Sequence, residues 1–283
     1  MNSNLKHTSV LIDLDAYFER IGFDGRREAS LETLSTLHLL HPQAIPFENL
    51  DPLLGRPVRL DPESIQKKLV AAGRGGYCYE HNLLFQSVVD ALGFRTRALA
   101  ARVVWGRAAD AGMPPRTHML LLADLPGGTY LADVGFGGMT LSAPLALEPG
   151  REQETPHGLF RIDALDDAHF LLQTRLEDTW MPVYRFDLEP QFAADFEMAN
   201  HFVATWPASI FVHNLMVGRL APHGRSGLLN RRLNIYGATR ETREIADVAQ
   251  LRDVLQTRFG IRLPDAVGDV SAAELDAALA RLS

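Results

Sequence analysis

The chain has 283 residues, of which 46% are hydrophobic and 22% charged, a globular composition that excludes disordered, collagen-like and disulfide-scaffold classes. Its 28 basic and 35 acidic residues leave a net charge of −7, the wrong sign for coating nucleic-acid phosphates, so no nucleic-acid partner is expected. The single cysteine, Cys78, excludes an intrachain disulfide and a Cys-rich metal site, and points to a reducing, cytoplasmic compartment. Residues Met1 to Lys6 lack the apolar core of a signal peptide. Apolar stretches such as Met119 to Ala123 fall far short of the ~18–20 residues that span a bilayer, so no membrane association is expected.

In chain order, Val10, Leu14, Tyr17, Phe18 and Ile21 repeat at helical spacing and stop at Gly22. Ser30 opens a second helix through Leu31, Leu34, Leu37 and Leu40 that ends at Pro42. Asp61-Pro62 starts a third, with Ile65 and Leu69, because proline at the first helical position lacks only an amide that would be unpaired there. A fourth runs from about Tyr79 to the stop at Gly93. The texture then becomes β-branched and alternating over 95–105, 118–123, 129–136, 159–162, 169–173 and 181–186, which predicts an antiparallel sheet or small barrel. The Ala-, Gly- and Pro-rich run Trp105 to Arg116 is the expected long loop. Gln191 to Val203 reads as a helix, Ile210 to Arg219 and Arg232 to Tyr236 as strands, and Ile245 to Phe259 and Ser271 to Leu282 as helices. Ser271 and Glu274 have the spacing of a capping box.

Cys78 follows Gly75-Gly76-Tyr77 directly before the fourth helix. The unpaired amides at a helix start favour thiolate over thiol, which suits a nucleophile. The bland alternative is a small buried apolar residue. A nucleophilic thiol needs a base, and His118 stands at the head of an apolar strand. Asp133 lies within the neighbouring strand, where a carboxylate without a partner would be costly to bury. Pairing the two directly across a hairpin centres its turn between Leu125 and Pro126, with a loop from Asp124 to Gly127. Asp133 would then orient the ring while His118 deprotonates Cys78. Gly135-Phe136-Gly137-Gly138 completes neither a dinucleotide fingerprint nor a phosphate loop and reads as a tight loop at the site rim. His38 and His41 share a helix face but have no third metal ligand at suitable spacing, so a solvated or capping role is expected. Arg225, Arg231 and Arg232 read as solvated surface.

These residues together resemble the arylamine N-acetyltransferase family. Arg74-Gly75-Gly76-Tyr77-Cys78-Tyr79-Glu80 is similar to its nucleophile motif, Thr117-His118 to its histidine, Ala132 to Gly137 to its aspartate motif, and Ile45-Pro46-Phe47-Glu48-Asn49-Leu50 to its amino-terminal signature. The likeness continues through Trp180 to Phe186 and Asn200 to Pro207, spanning about 40–220. It implies an α+β multidomain fold with a cysteine-protease-like catalytic core: a helical bundle over 1–93 carrying the nucleophile, an antiparallel β-barrel over 94–190 carrying His and Asp, and an α/β lid over 191–283. It further implies that Cys78, His118 and Asp133 pass an acetyl group from acetyl-CoA, without a metal, to an aromatic amine, hydrazine or N-hydroxyarylamine in a ping-pong cycle. By the same resemblance Phe47, Phe136 and Phe211 line the aryl pocket, Thr117, Phe202 and Ser209 lie near CoA, and Arg74 pairs with Glu48. The chain departs from many members at Ala204-Thr205-Trp206-Pro207 and at Ala208 and Ile210. Rival readings are a transglutaminase-like or papain-like cysteine acyl hydrolase, whose Cys, His and Asp occur in the same order, and a noncatalytic protein that binds CoA or aromatic ligands.

Overall fold

The computed structural model describes residues 12–108, 110–263, 266–267 and 270–282. Its first third holds α1 (Leu14–Ile21), α2 (Leu31–Ala44), the two-residue strand β1 (Phe47–Glu48), α3 (Leu50–Leu53), α4 (Pro62–Ile65) and α5 (Cys78–Ala91). Asp13, Ser30 and Asp61 each accept an amide in the first turn of the helix that follows. Val10, expected to start the first helix, lies outside the described residues. α2 runs two residues past the expected stop, since Pro42 sits inside its last turns. α4 continues as a π-helical turn over Gln66–Ala71, which carries Lys68 towards the start of α5.

The middle third is an eight-stranded antiparallel sheet: β2 (Arg95–Val103), β3 (His118–Leu125), β4 (Gly128–Ala132), β5 (Leu145–Ala146), β6 (Glu152–Thr155), β7 (Gly158–Ala164), β8 (His169–Leu176) and β9 (Thr179–Asp187). Its order is β5-β4-β3-β2-β9-β8-β7-β6. The two edges meet through Gln153, whose carboxamide bonds both the N–H and the C=O of Ala146, so the sheet is nearly a closed barrel. Leu120, Leu122, Leu131, Phe160, Ile162 and Tyr184 belong to the core inside it. Alternate residues of β3, Met119, Leu121 and Ala123, join the core shared with the helices. Burial on both faces is why β3 reads as an unbroken apolar run rather than an alternating one.

The last third has α6 (Ala193–Thr205), α7 (Ile210–His213), β10 (Met216–Ala221), β11 (Gly224–Leu229), β12 (Arg232–Tyr236), β13 (Arg240–Glu244), α8 (Val248–Thr257), the ribbon β14 (Ala266–Val267) and β15 (Val270–Ser271), and α9 (Ala272–Ala280). Its sheet runs β1-β10-β11-β12-β13, so the first third supplies one edge strand. The strand expected over 210–219 begins instead as a helical turn. The hydroxyl of Ser209 accepts the Phe211 amide and starts α7, and the chain becomes extended only at Met216. The capping box expected at Ser271 involves a side chain outside the described residues.

Candidate active site

Cys78 is the first residue of α5 and is 5% exposed. The helix start is fixed by Glu80, whose Oε2 accepts the Tyr77 amide at 3.0 Å while Oε1 takes the Lys68 ammonium at 2.7 Å. Lys68 also reaches Asp51 at 2.5 Å, and Arg74 pairs with Glu48 at 2.6 Å. Two cations thus face three carboxylates beneath Cys78. Burial pushes the Glu80 carboxyl up to about 7 against the opposing pull of Lys68. The loop before Cys78 leaves no room for a side chain at Gly75, where a Cβ would lie 2.0 Å from the Pro46 carbonyl oxygen.

His118 opens β3, and its Nε2 lies 2.7 Å from Oδ2 of the fully buried Asp133. That leaves Nδ1 as the free ring nitrogen, and Cys78 lies near enough to add to the pull on the ring proton. Burial alone would lower the affinity of the ring for its proton. The charges and hydrogen bonds of Asp133 and Cys78 outweigh burial and raise the ring to about 10. Burial likewise acts to raise Asp133, but the charge of His118 and hydrogen bonds from His118, Asn82 and Gly135 hold it below the usual carboxylate range. Together the two shifts describe an imidazolium–carboxylate pair beside the Cys78 sulfur.

The route to this geometry differs from the expected one. β3 and β4 pair Leu121 with Ala132 and Leu125 with Gly128, so the hairpin turns on the two residues Pro126 and Gly127. The ladder ends at Ala132, and Asp133 lies one residue beyond it rather than inside a strand directly opposite His118. Side chains the sequence did not single out then fix the carboxylate. Asn82, one turn beyond Cys78 on α5, donates to Asp133 Oδ1 at 3.0 Å and to the Met119 carbonyl at 2.7 Å, and accepts the Val134 amide. The Gly135 amide donates to the same Oδ1 at 2.9 Å. His38 and His41 are fully buried, not solvated or capping, because they share the face of α2 on which Leu34 and Leu37 enter the core. Nε2 of His38 accepts the Asp133 amide at 3.0 Å. His41 stands between Tyr17 and His81, at 2.8 and 2.9 Å, and His81 continues to the Pro46 carbonyl at 3.1 Å. A signal was present in the sequence: a histidine three or four residues from core leucines lies on the buried stripe.

A cavity of about 1030 Å³ opens onto Cys78 and His118. Phe47, Phe136 and Phe211 all line it, as do Thr117, Phe202 and Ser209. Phe47 and Phe211 lie 6.3 Å apart, and Phe136 meets the His118 ring edge-on at 5.2 Å. The Thr117 carbonyl oxygen is 3.7 Å from the Cys78 sulfur. Phe202 stacks on Trp206 at 5.4 Å. Ser209 donates its hydroxyl to the Val203 carbonyl at 2.5 Å while capping α7. Trp105 brings the long loop to the cavity wall. Arg225, expected on the surface, is half-buried at the cavity and donates to the carbonyls of Gly138 and His157. Burial lowers its guanidinium to about 10. Arg231 bonds the carbonyls of Leu282 and Ala246, whereas Arg232 is exposed. Among the described residues no group of three or more His, Cys, Asp and Glu side chains is disposed to hold a metal ion, and no helix is long and apolar enough to cross a membrane.

Residues 30–267 match the N-acetyltransferase family. Over 279 residues the chain is 44% identical to the arylamine N-acetyltransferase of Mycobacterium tuberculosis, covering 96% of this chain and 98% of that one. It is 43% identical over 265 residues to the Escherichia coli enzyme of that name, covering 93% of each. Among solved structures it is similar to the M. tuberculosis arylamine N-acetyltransferase, with a TM-score of 0.91 and 42% identity over 95% of this chain and 100% of that one. The Mycobacterium marinum enzyme, solved in complex with CoA, also gives a TM-score of 0.91, with 40% identity over 95% of this chain and 99% of that one. The fold is thus that of an acyltransferase with a cysteine-protease-like core. More narrowly, the chain belongs to the arylamine N-acetyltransferase family.

Proposed function

We propose that Cys78 carries an acetyl group from acetyl-CoA to an arylamine, arylhydrazine or N-hydroxyarylamine in a two-step, ping-pong cycle. The thiolate attacks the thioester carbonyl, the tetrahedral adduct expels CoA, and the His118 imidazolium protonates the departing sulfur. The ring, now neutral, takes a proton from the attacking amine or hydroxylamine, and collapse of the second adduct returns the thiolate. Asp133 holds the ring in orientation and offsets its positive charge throughout. The observation that carries this reading is that Cys78 and His118, the latter paired with the buried Asp133 carboxylate, line one cavity. No metal takes part.

The cavity walls divide the work. Phe47, Phe136 and Phe211 form the aryl wall, because flat apolar faces suit an aromatic acceptor. Thr117, Phe202 and Ser209 lie along the CoA side. A lone nucleophilic cysteine operates best in a reducing environment, which supports the cytoplasm as the compartment.

Intact mass of the protein mixed with acetyl-CoA, then with an arylhydrazine, tests the cycle. One acetyl group is expected on Cys78, absent in Cys78→Ala, and discharged as acetylated hydrazine forms. Release of free acetate at the same rate without hydrazine would support the hydrolase instead. Absence of both adduct and free CoA would reject acetyl transfer.

A further inference from the structure

The main-chain N–H of Asp133 is left over by the sheet, because the β3–β4 ladder stops at Ala132. The residue is fully buried, and a buried amide without a partner is costly. Its partner comes from another element, 95 residues away: Nε2 of His38 on α2, at 3.0 Å. An N–H donor requires a lone pair on that nitrogen, so His38 carries its proton on Nδ1 and is neutral. Nδ1 is buried and finds no partner beyond its own main chain. An apolar side chain at position 38 would pack against Phe85 without burying such a donor, but would orphan the Asp133 amide.

We propose that His38 is a positioning residue of the acyl-transfer site: by accepting the Asp133 amide it ties the peptide bearing the carboxylate to α2 and keeps Oδ2 in line with His118. The bonds to Oδ1 from Asn82 and Gly135 fix the carboxylate relative to α5 and its own loop. The His38 bond adds the link from that loop to α2. The proposal rests on the reading that Asp133 and His118 act on Cys78 as one unit. Small displacements at such a unit are costly, since a shift of about 1 Å can lower a rate ~100-fold.

The test compares His38→Gln and His38→Leu in the full chain, reading Cys78 alkylation by iodoacetamide across pH and steady-state acetylation of an arylhydrazine. His38→Leu is expected to slow alkylation about tenfold and lower kcat equally, with the KM for hydrazine unchanged. His38→Gln keeps an acceptor oxygen and is expected to restore most of both rates. A folded Leu variant alkylating at the wild-type rate, or a Gln variant as slow as Leu, would overturn the proposal. Asp133→Asn, run in parallel, separates the two readings. If it alkylates normally, the coupled unit itself fails; if it is slow while folded His38→Leu is not, only the role of His38 fails. Should His38→Leu not fold, imidazole nitrogen chemical shifts of the wild-type protein decide. Protonated Nδ1 with an unprotonated Nε2 is expected, and the opposite tautomer or an imidazolium overturns the proposal.

Discussion

His118 and Asp133 stabilise one another's charged forms, and that mutual effect has a defined dependence on pH. The folded ring holds its proton to about 10, against an ordinary value of 6.5. Its contribution to stability is therefore complete below 6.5, shrinks as pH rises, and is gone above about 10. Asp133 has the opposite sign. Its pKa is lowered from 3.8, so its contribution is present above that value and is lost as pH falls through the folded value. In urea unfolding, the stability difference between wild type and His118→Gln should peak between about pH 4 and 6.5 and narrow steadily towards pH 10. A difference that is flat across this range would mean that the pair is not ionised in the folded protein.

The elements around Cys78 are set by close backbone approach and by a buried polar layer. A Cβ on Gly135 would fall 2.9 Å from Cα of Cys78 and 3.0 Å from its carbonyl oxygen, so the loop after β4 rests directly on the first turn of α5. Gly135→Ala should push the two apart. We expect kcat to fall at least tenfold with a loss of about 1–3 kcal/mol in urea unfolding, both read on the same preparation. Behind this contact, the Pro46 carbonyl accepts from His81 Nε2–H, so His81 Nδ1 accepts from His41 and His41 Nδ1 accepts from the Tyr17 hydroxyl. Every ring in this chain must be neutral, and burial lowers His81 to about 4. A folded pKa below the ordinary 6.5 means that stability is lost as pH falls from 6.5 towards 4. His81→Gln should be less stable at pH 7. Its further loss between pH 6.5 and 4.5 should be shallower than wild type by up to about 1.4 kcal/mol per pH unit, measured by urea midpoints.

The molecule as a whole closes the cavity by exchange between distant parts of the chain. Phe47 and Glu48 pair with Gly218 and Val217, so a strand from the first third edges the sheet of the last. Asn49 locks the junction: its amide donates to the carbonyls of Phe211 and Asn214 at 2.8 and 2.7 Å, and its oxygen accepts the Met216 amide at 2.7 Å. Phe47 and Phe211, facing each other in the cavity, are held from the two sides of that junction. Asn49→Ala should therefore loosen the aryl wall and leave the thiol alone. A KM for the aryl acceptor raised several-fold, with Cys78 alkylation at the wild-type rate, is the expected result. Equal loss of both would show that the junction also supports the Cys78 loop.

The meeting of Cys78, His118 and Asp133 was legible in the linear order because each carries a local signature: glycines before a helix start, an ionisable ring heading an apolar strand, and a carboxylate among apolar neighbours. Caps at Ser30 and Asp61 were legible because hydrogen bonds within a few residues specify them, and most strands because their apolar, β-branched patterning marks them whatever their partners. The α7 turn was not, because the apolar run from Ile210 fits strand and helical turn alike and the Ser209 cap decides between them. Nor was the register of the β3–β4 hairpin, which the two-residue turn at Pro126-Gly127 sets. The roles of Asn82, Asn49, His38, His41 and Arg225 depended on tertiary structure throughout. Each satisfies a backbone or side-chain group that another part of the chain leaves unpaired, and local sequence does not state which amide or carbonyl will be left over once the layers have packed.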